Sequence, residues 1–408
     1  MFDVSKGTGG GIAYSWQQLP SGSSGSGTIN ASGTFTLNAL PAGATIELKL
    51  GPDNLDRFFI AYHGDAQRLT QVKQWGTANW TSFEFAFQFC YNLDVTATDK
   101  PNLSKNNIRL TSMFSNCSSL IGNSSFGSWI TSNVASMSSM FESNYNFNQD
   151  IGNWNTENVV YMYNMFSHAT SFNQDIGNWN TEKVEDMSNM FWHAEAFNNA
   201  SPGNWTLNSV VNLSGIFDDS GLDCNRYGLI LRGWANNENP PFGLSLGAAN
   251  LKYGSYYSDD RDILADYYEW TITDAGELTN CQPLAAVFGG LNAYLENGKL
   301  FVNWATLSEK NNHRFEIEAS NDGKNFIKIG EIISKAKDGN SSENISYDFS
   351  TSANGLGLAG FAIFGLAVGA GLLRRKRLMI ALMAASIMVL GYACTKSDKE
   401  AVPQSDNL

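Results

Sequence analysis

The chain has 408 residues, a formal net charge of −13 and a pI near 4.8. Acidity of that size leaves no basic surface for a phosphate backbone, which argues against nucleic-acid binding. Charged residues are only 16% while Asn, Ser, Thr and Gly are plentiful, a composition that suits a β-rich extracellular surface better than a cytosolic enzyme.

Met1-Phe2-Asp3-Val4-Ser5 has neither a basic start nor an apolar run, so for an exported protein a start upstream is expected. Residues 1–78 read as a Gly/Ser-rich segment, with GSSGSGTINASGT, followed by a β-rich N-terminal cap. Ile46, Leu48 and Leu50 interleave with Thr45, Glu47 and Lys49, and RFFIAYHGD follows at 57–65. A terminal repeat needs such a cover, because a bare stacking face would be an exposed apolar patch.

Residues 79–222 hold the repeats. FNQDIGNWNTENVVYMYNMF (147–166) returns as FNQDIGNWNTEKVEDMSNMF (172–191), and weaker copies flank the pair. The anchors Phe87, Phe114, Phe141, Phe166, Phe191 and Phe217 recur every 25 to 27 residues, beside a column of Trp129, Trp154, Trp179 and Trp205. Behind each Trp runs a stripe spaced by three: Val134, Met137, Met140; Val159, Met162, Met165; Val184, Met187, Met190; Val210, Leu213, Ile216. That spacing predicts one face of a helix of two to three turns. Thr156 or Thr181 two residues after the Trp, with Asn153 or Asn178 before it, predicts a short strand. The expected fold class is therefore α/β: a leucine-rich-repeat-type solenoid, strand plus helix per unit, with a loop carrying Phe147, Phe172 or Phe197. The stripe repeats with the unit, so it is core rather than a cofactor box.

Residues 223–282 leave the period and read as the C-terminal cap. Asp259 or Asp260 is placed to cap a short helix through Tyr268, and Trp270-Thr271-Ile272 is a strand. Residues 283–350 are an incomplete all-β sandwich, with turns at Asn297-Gly298 and Asp322-Gly323. Gly355–Leu373 is uncharged and long enough for a transmembrane helix, and Arg374-Arg375-Lys376-Arg377 after it should stay cytoplasmic. A second apolar or transmembrane segment, 378–394, precedes a polar tail at 395–408. The expected location is the cell surface, with the solenoid outside and the C-terminus in the membrane. Lys376–Lys399 also resembles a bacterial lipoprotein signal, which makes Cys394 a candidate for lipidation.

Five cysteines are too few for a disulfide-built scaffold. Cys90 and Cys117 occupy one position in successive repeats, either as stacked buried thiols or as a bridge between rungs. Cys224 and Cys281 bracket the cap and are a second candidate pair. Of the four histidines, His63, His168, His193 and His313, only His168 and His193 fall in register; two ligands do not make a metal site, and they read as a surface ladder. Asp150 and Asp175 are a repeat feature before they are an acid/base pair. No catalytic motif stands in a supporting context and no cofactor is expected. The candidate binding face is polar: Asn153, Asn155, Asn178, Asn180 and Asn204, flanked by Thr206. It is either an asparagine ladder that satisfies the backbone or a concave face for an extracellular protein or glycan.

WTSFEFAFQFCYNL (80–93), LTSMFSNCSSL (110–120) and the two GNWNTxxVxxMxxMF units resemble the BspA-like leucine-rich-repeat surface proteins of bacteria, and YGLILRGWA with LGAANLKYG…YYEWTITDAG resembles their closing region. VNWATLSEKNNHRFEIEASNDGKNFIKIGEI (302–332) resembles the fibronectin-type-III-like module of Bacteroidetes secreted proteins, with its final strands missing before the apolar run. The resemblance implies surface display and adhesion, and brings no catalytic residues. The alternatives are a structural spacer without a ligand, or an accessory region of a glycan-acting enzyme.

Overall fold

The computed structural model describes residues 1–369, except for 39, 63, 238, 280, 282–285, 297, 310–311, 313, 321–326, 338–340, 342 and 353–362. The chain divides into two compact units, Met1–Gln282 and Pro283–Leu408. The first opens with β1 (Phe2–Lys6), β2 (Ile12–Leu19), β3 (Ser24–Ile29), β4 (Gly33–Phe35), β5 (Thr45–Leu50) and β6 (Leu55–Phe59). These make two antiparallel sheets, ordered β4-β1-β6 and β3-β2-β5. Leu48 and Leu50 of β5 pack against the core, while Thr45 and Lys49 face out.

From Gln71 to the end of this unit the pairing is parallel and short. β7 (Gln71–Val72) pairs with β8 (Asp94–Val95), and β9 (Ile108–Arg109) with β10 (Val134–Ser136). Single bridges continue the ladder through Ser136–Tyr161, Tyr161–Asp186, Asp186–Asn212 and Leu213–Leu246.

The strand-plus-helix solenoid of leucine-rich-repeat type is overturned. Among the described residues the regular elements are mostly strands of small sheets, with two short α-helices, neither of them in residues 79–222. The reason is visible in the backbone. Ser139, Asn164 and Asn189 sit between the two Met of each stripe at φ of 52°, 55° and 53°. An α-helix excludes that left-handed conformation. The amides alternate between two acceptors instead. Met140 donates to Met137 O at 3.1 Å, a local turn, while Ser139 and Phe141 donate to Tyr163 O and Met165 O of the next rung at 2.8 and 3.0 Å. A chain of turns three residues long has nearly the period of a helix, so the stripe alone could not tell them apart.

The strand expected around Trp154 is also absent. Asn153, Trp154, Asn155 and Thr156 do alternate exposed and buried, but no ladder runs there. The indole of Trp154 donates back to Phe126 O at 2.8 Å, and the Thr156 hydroxyl donates forward to Asn180 O at 2.8 Å. Trp179 with Thr181 repeats the pattern, to Ile151 O at 3.1 Å and Thr206 O at 2.7 Å. Side chains thus supply the rung-to-rung bonds that a strand would have made from its backbone.

The core is a set of aromatic columns. Phe87, Phe114, Phe141, Phe166, Phe191 and Phe217 stack with centroids 5.6, 6.1, 5.8, 5.7 and 5.7 Å apart. Trp129, Trp154, Trp179 and Trp205 stack at 5.9, 6.5 and 6.4 Å. Phe172 lies flat on Phe166 at 3.8 Å and locks each loop to its own rung. Full burial of each ring contributes roughly 1.5–3 kcal/mol. Gly152 precedes the Asn-Trp pair because a Cβ there would stand 2.5 Å from Asp175 O of the next rung.

The unit closes with α1 (Cys224–Ala235), β11 (Ser245–Ala248), β12 (Tyr253–Gly254), α2 (Ser258–Asp262), β13 (Thr271–Asp274) and β14 (Glu277–Leu278). The Asp223 carboxylate caps α1, accepting from Asn225 N and Arg226 N at 3.0 and 2.9 Å. Trp234 of α1 ends the Phe column, 5.8 Å from Phe217. Asp259 and Asp260 are not caps. They sit in the first turn of α2, where the helix dipole favours them, and Asp260 pairs with Arg232 at 3.0 Å. A π-helical turn, Ile263–Tyr267, follows α2. A disulfide, Cys224–Cys281, ties the start of α1 to the end of the unit.

The second unit has two antiparallel sheets. β15 (Ala286–Glu296), β16 (Lys299–Glu309) and β19 (Ile345–Ser352) form one, and β18 (Ile327–Ile333), β17 (Arg314–Ser320) and β20 (Ile363–Gly369) the other. Gly298, at φ 75°, turns between β15 and β16, whereas Asn297 and the Asp322-Gly323 turn lie outside the described residues. β20 overturns the transmembrane reading of 355–373. Ile363–Gly369 pairs residue for residue with β17, Ile363 opposite Ser320 and Gly369 opposite Arg314. Of the final strands expected to be missing before the apolar run, β19 stands ahead of it and β20 inside it. A short apolar segment is compatible with either state, and here an open sheet edge decides. No described helix is long and apolar enough to cross a membrane. Membrane anchorage through such helices, and the cell-surface placement that depended on it, is withdrawn. The 378–394 segment, Cys394 and the tail lie outside the described residues.

Candidate partner-binding faces

Asn153, Asn155, Asn178, Asn180 and Asn204 are all exposed, and Thr206 is half-buried. They form two columns over the Trp stack, one of Asn153, Asn178 and Asn204, the other of Asn155, Asn180 and Thr206. Alternation around the buried Trp drives them outward. Asn155 Oδ1 and Asn180 Oδ1 each accept a local amide, from Glu157 N and Glu182 N at 3.0 Å. Among the described residues, the side-chain amides of Asn153, Asn178 and Asn204 have no hydrogen-bond partner.

The backbone-satisfying asparagine ladder lies elsewhere. Asn148 Oδ1 accepts from Asn173 N, Asn173 Oδ1 from Asn198 N, and Asn198 Oδ1 from Asp223 N, at 2.9, 2.9 and 3.0 Å. Asn148 and Asn173 stand in the FNQ motifs and Asn198 at the matching place in Phe197-Asn198-Asn199, so the two roles of asparagine belong to different columns. Asp150 and Asp175 each accept the amide two residues on, from Gly152 N and Gly177 N at 3.0 Å. They are turn-formers rather than an acid/base pair.

Sequence reasoning reaches only His168 and His193 of a further column. Tyr62, Phe89, Asn116, Ser143, His168, His193, Asp219 and Asn250 each occupy one position of successive rungs, all with φ between 54° and 66°. The signal was available: Asn, Ser, His and Asp recur two residues after the anchor Phe, and such residues tolerate positive φ. His168 and His193 stack in parallel at 5.0 Å, with Trp192 edge-on to both at 4.7 Å. Burial, then the neighbouring His193, holds the His168 pKa below its ordinary value. His193 lies 3.6 Å from Asp219, whose other oxygen accepts from Asn250. No group of three metal-ligating side chains occurs among the described residues, and His63 and His313 lie outside them.

Cys90 and Cys117 are free and buried, so the bridge between rungs is not made. Burial pushes the Cys90 thiol up to about 12 and holds Cys117 well above its ordinary value, and Cys117 donates to Phe87 O. These thiols fill core space and are held un-ionised.

A family described as "Mycoplasma protein of unknown function, DUF285" matches residues 108–226, from β9 to the first turn of α1. No curated protein and no solved structure matches the chain. The similarity is thus confined to the stacked repeats.

Proposed function

We propose that this protein is a non-catalytic binding protein that takes a protein or glycan partner on the two asparagine columns, and that adhesion is the outcome. One observation carries the reading: exposed amides without internal partners recur in register on consecutive rungs. Each primary amide offers two donors and an acceptor without charge. The stacked tryptophans beneath fix the spacing of the row, so binding orders side-chain rotamers and not the backbone. Repeating donors and acceptors match a ligand that itself repeats, such as an extended peptide or an oligosaccharide. Kinship with the BspA-like repeat proteins belongs to the same proposal and rests on shared column residues.

The test is an array of glycans and matrix proteins probed with the full chain, followed by the double variant Asn153→Ala, Asn178→Ala. Binding should be abolished while the melting temperature holds. Unchanged affinity removes this face from consideration, and a folded protein that binds nothing turns the reading into that of a spacer.

A further inference from the structure

The left-handed column holds Asn, Ser, His or Asp in its last six rows, and Asn, His and Asp are the residues that take positive φ most readily after Gly. Its first two rows hold Tyr62 and Phe89, at φ 63° for both. Bulky aromatic residues are genuine outliers there, and retained outliers cluster at functional sites. Neither ring is spent on the core. Tyr62 is 69% exposed and Phe89 half-buried, and Tyr91 beside them is 40% exposed. The rings are inclined: Tyr62 meets Phe89 edge-on at 5.5 Å and 67°, and Phe89 meets Tyr91 at 6.2 Å and 54°. Together with Gly64, Ala66 and Gln67 they line a shallow groove of about 330 Å³.

We propose that this groove binds a terminal sugar of a neutral glycan. Among the described residues no Lys, Arg, Asp or Glu lines it. Asp65, between the lining residues Gly64 and Ala66, pairs with Arg68 at 3.3 Å. Among the described lining residues an anionic or cationic ligand finds no counter-charge. An apolar helix would need one flat face, and the rings are tilted against each other. A pyranose has an apolar C–H face for a ring and a rim of hydroxyls for polar groups, which is the mixture of a small-ligand site. The rim is supplied. The Tyr62 hydroxyl donates to Gln88 Oε1 at 2.7 Å, which orients the ring and leaves the phenol oxygen to accept from a sugar hydroxyl. The exposed Gln67 amide adds two donors and an acceptor.

The site is separate from the asparagine columns and stands or falls apart from them. The full chain is titrated calorimetrically with methyl glycosides of glucose, galactose and N-acetylglucosamine, and with sialyllactose as the charged control. Tyr62→Asn installs the residue that the column carries at Asn116, so melting temperature should hold or rise while neutral-sugar affinity falls by roughly tenfold or more. Tyr91→Ala should weaken the same sugars, and the Asn153→Ala, Asn178→Ala variant should not. Failure of every neutral sugar to bind overturns the proposal, as does equal binding by Tyr62→Asn and Tyr91→Ala. A Tyr62→Asn effect on sedimentation alone, with no sugar bound, would mark a self-association patch and overturn it too.

Discussion

The stacked rungs and the C-terminal unit bury aromatic side chains by opposite means. In the rungs each ring meets its own copy one repeat away, as Phe166 meets Phe141 and Phe191 at 5.8 and 5.7 Å. In the C-terminal unit three different rings, Trp304, Phe315 and Tyr347, meet once, at 4.8 to 5.5 Å. Beside them lies a buried carboxylate, Glu309, which accepts from Thr306, Tyr347, Asn312 and Ser334 at 2.8, 2.5, 2.7 and 2.6 Å. The rungs spread their stability over repeated, nearest-neighbour contacts. The second unit concentrates it in one cluster and one polar network, where a single loss strands several groups. Surface that is free for function therefore recurs along the rungs, in register.

Four perturbations would break or sharpen that contrast. Phe166→Ala removes a fully buried ring touched from both sides, and should cost about 3–5 kcal/mol in urea unfolding of the rungs. A loss below about 1 kcal/mol would mean that the columns re-close easily and that the stacking account is wrong. Replacing Cys224 and Cys281 by Ser opens a loop of 57 residues and should cost about 4 kcal/mol. Peptide mapping without reductant should show that pair linked, and Cys90 and Cys117 alkylated only after denaturation. Glu309→Ala leaves four donors without their acceptor and should cost about 3 kcal/mol. Only the melting transition of the C-terminal unit should move; a matching shift in the rungs would show that the two units do not unfold separately.

The smallest effect is one of pH. The folded pKa of His168 lies below its ordinary 6.5, chiefly through burial. Below about 6.5 the unfolded chain takes a proton that the folded chain resists. Stability is unaffected above that range and falls as pH drops toward the folded pKa. His168→Asn should flatten that part of the melting curve relative to wild type, and parallel curves would refute it.

Much of the core was legible, and its backbone was not. Trp154, Val159, Met162, Met165 and Phe166 follow from the doubled motif and are buried at 2% exposure or less. Their spacing by three was read as a helix because side-chain periodicity reports which residues share a face, not which carbonyl each amide finds. Ser139, Asn164 and Asn189 carried the missing information as residues at ease with positive φ. For Asn153, Asn155, Asn178, Asn180 and Asn204 the sequence leaves ladder and display as alternatives, and it does not point to Asn148, Asn173 and Asn198, which the hydrogen bonds place in a backbone-satisfying ladder. Tyr62 and Phe89 left no periodic trace, because each differs from the residues that share its column.

By itself the sequence determined the repeat, its register and the side chains that must leave water, since apolar burial depends on pattern and recurs with it. Tertiary structure decided what the pattern could not: turns rather than helices between the methionines, a strand at Ile363–Gly369 rather than a membrane span, and the inclined rings at Tyr62, Phe89 and Tyr91. In each case the deciding quantity is a hydrogen bond or a ring contact between residues distant in the chain, and local periodicity does not encode partners.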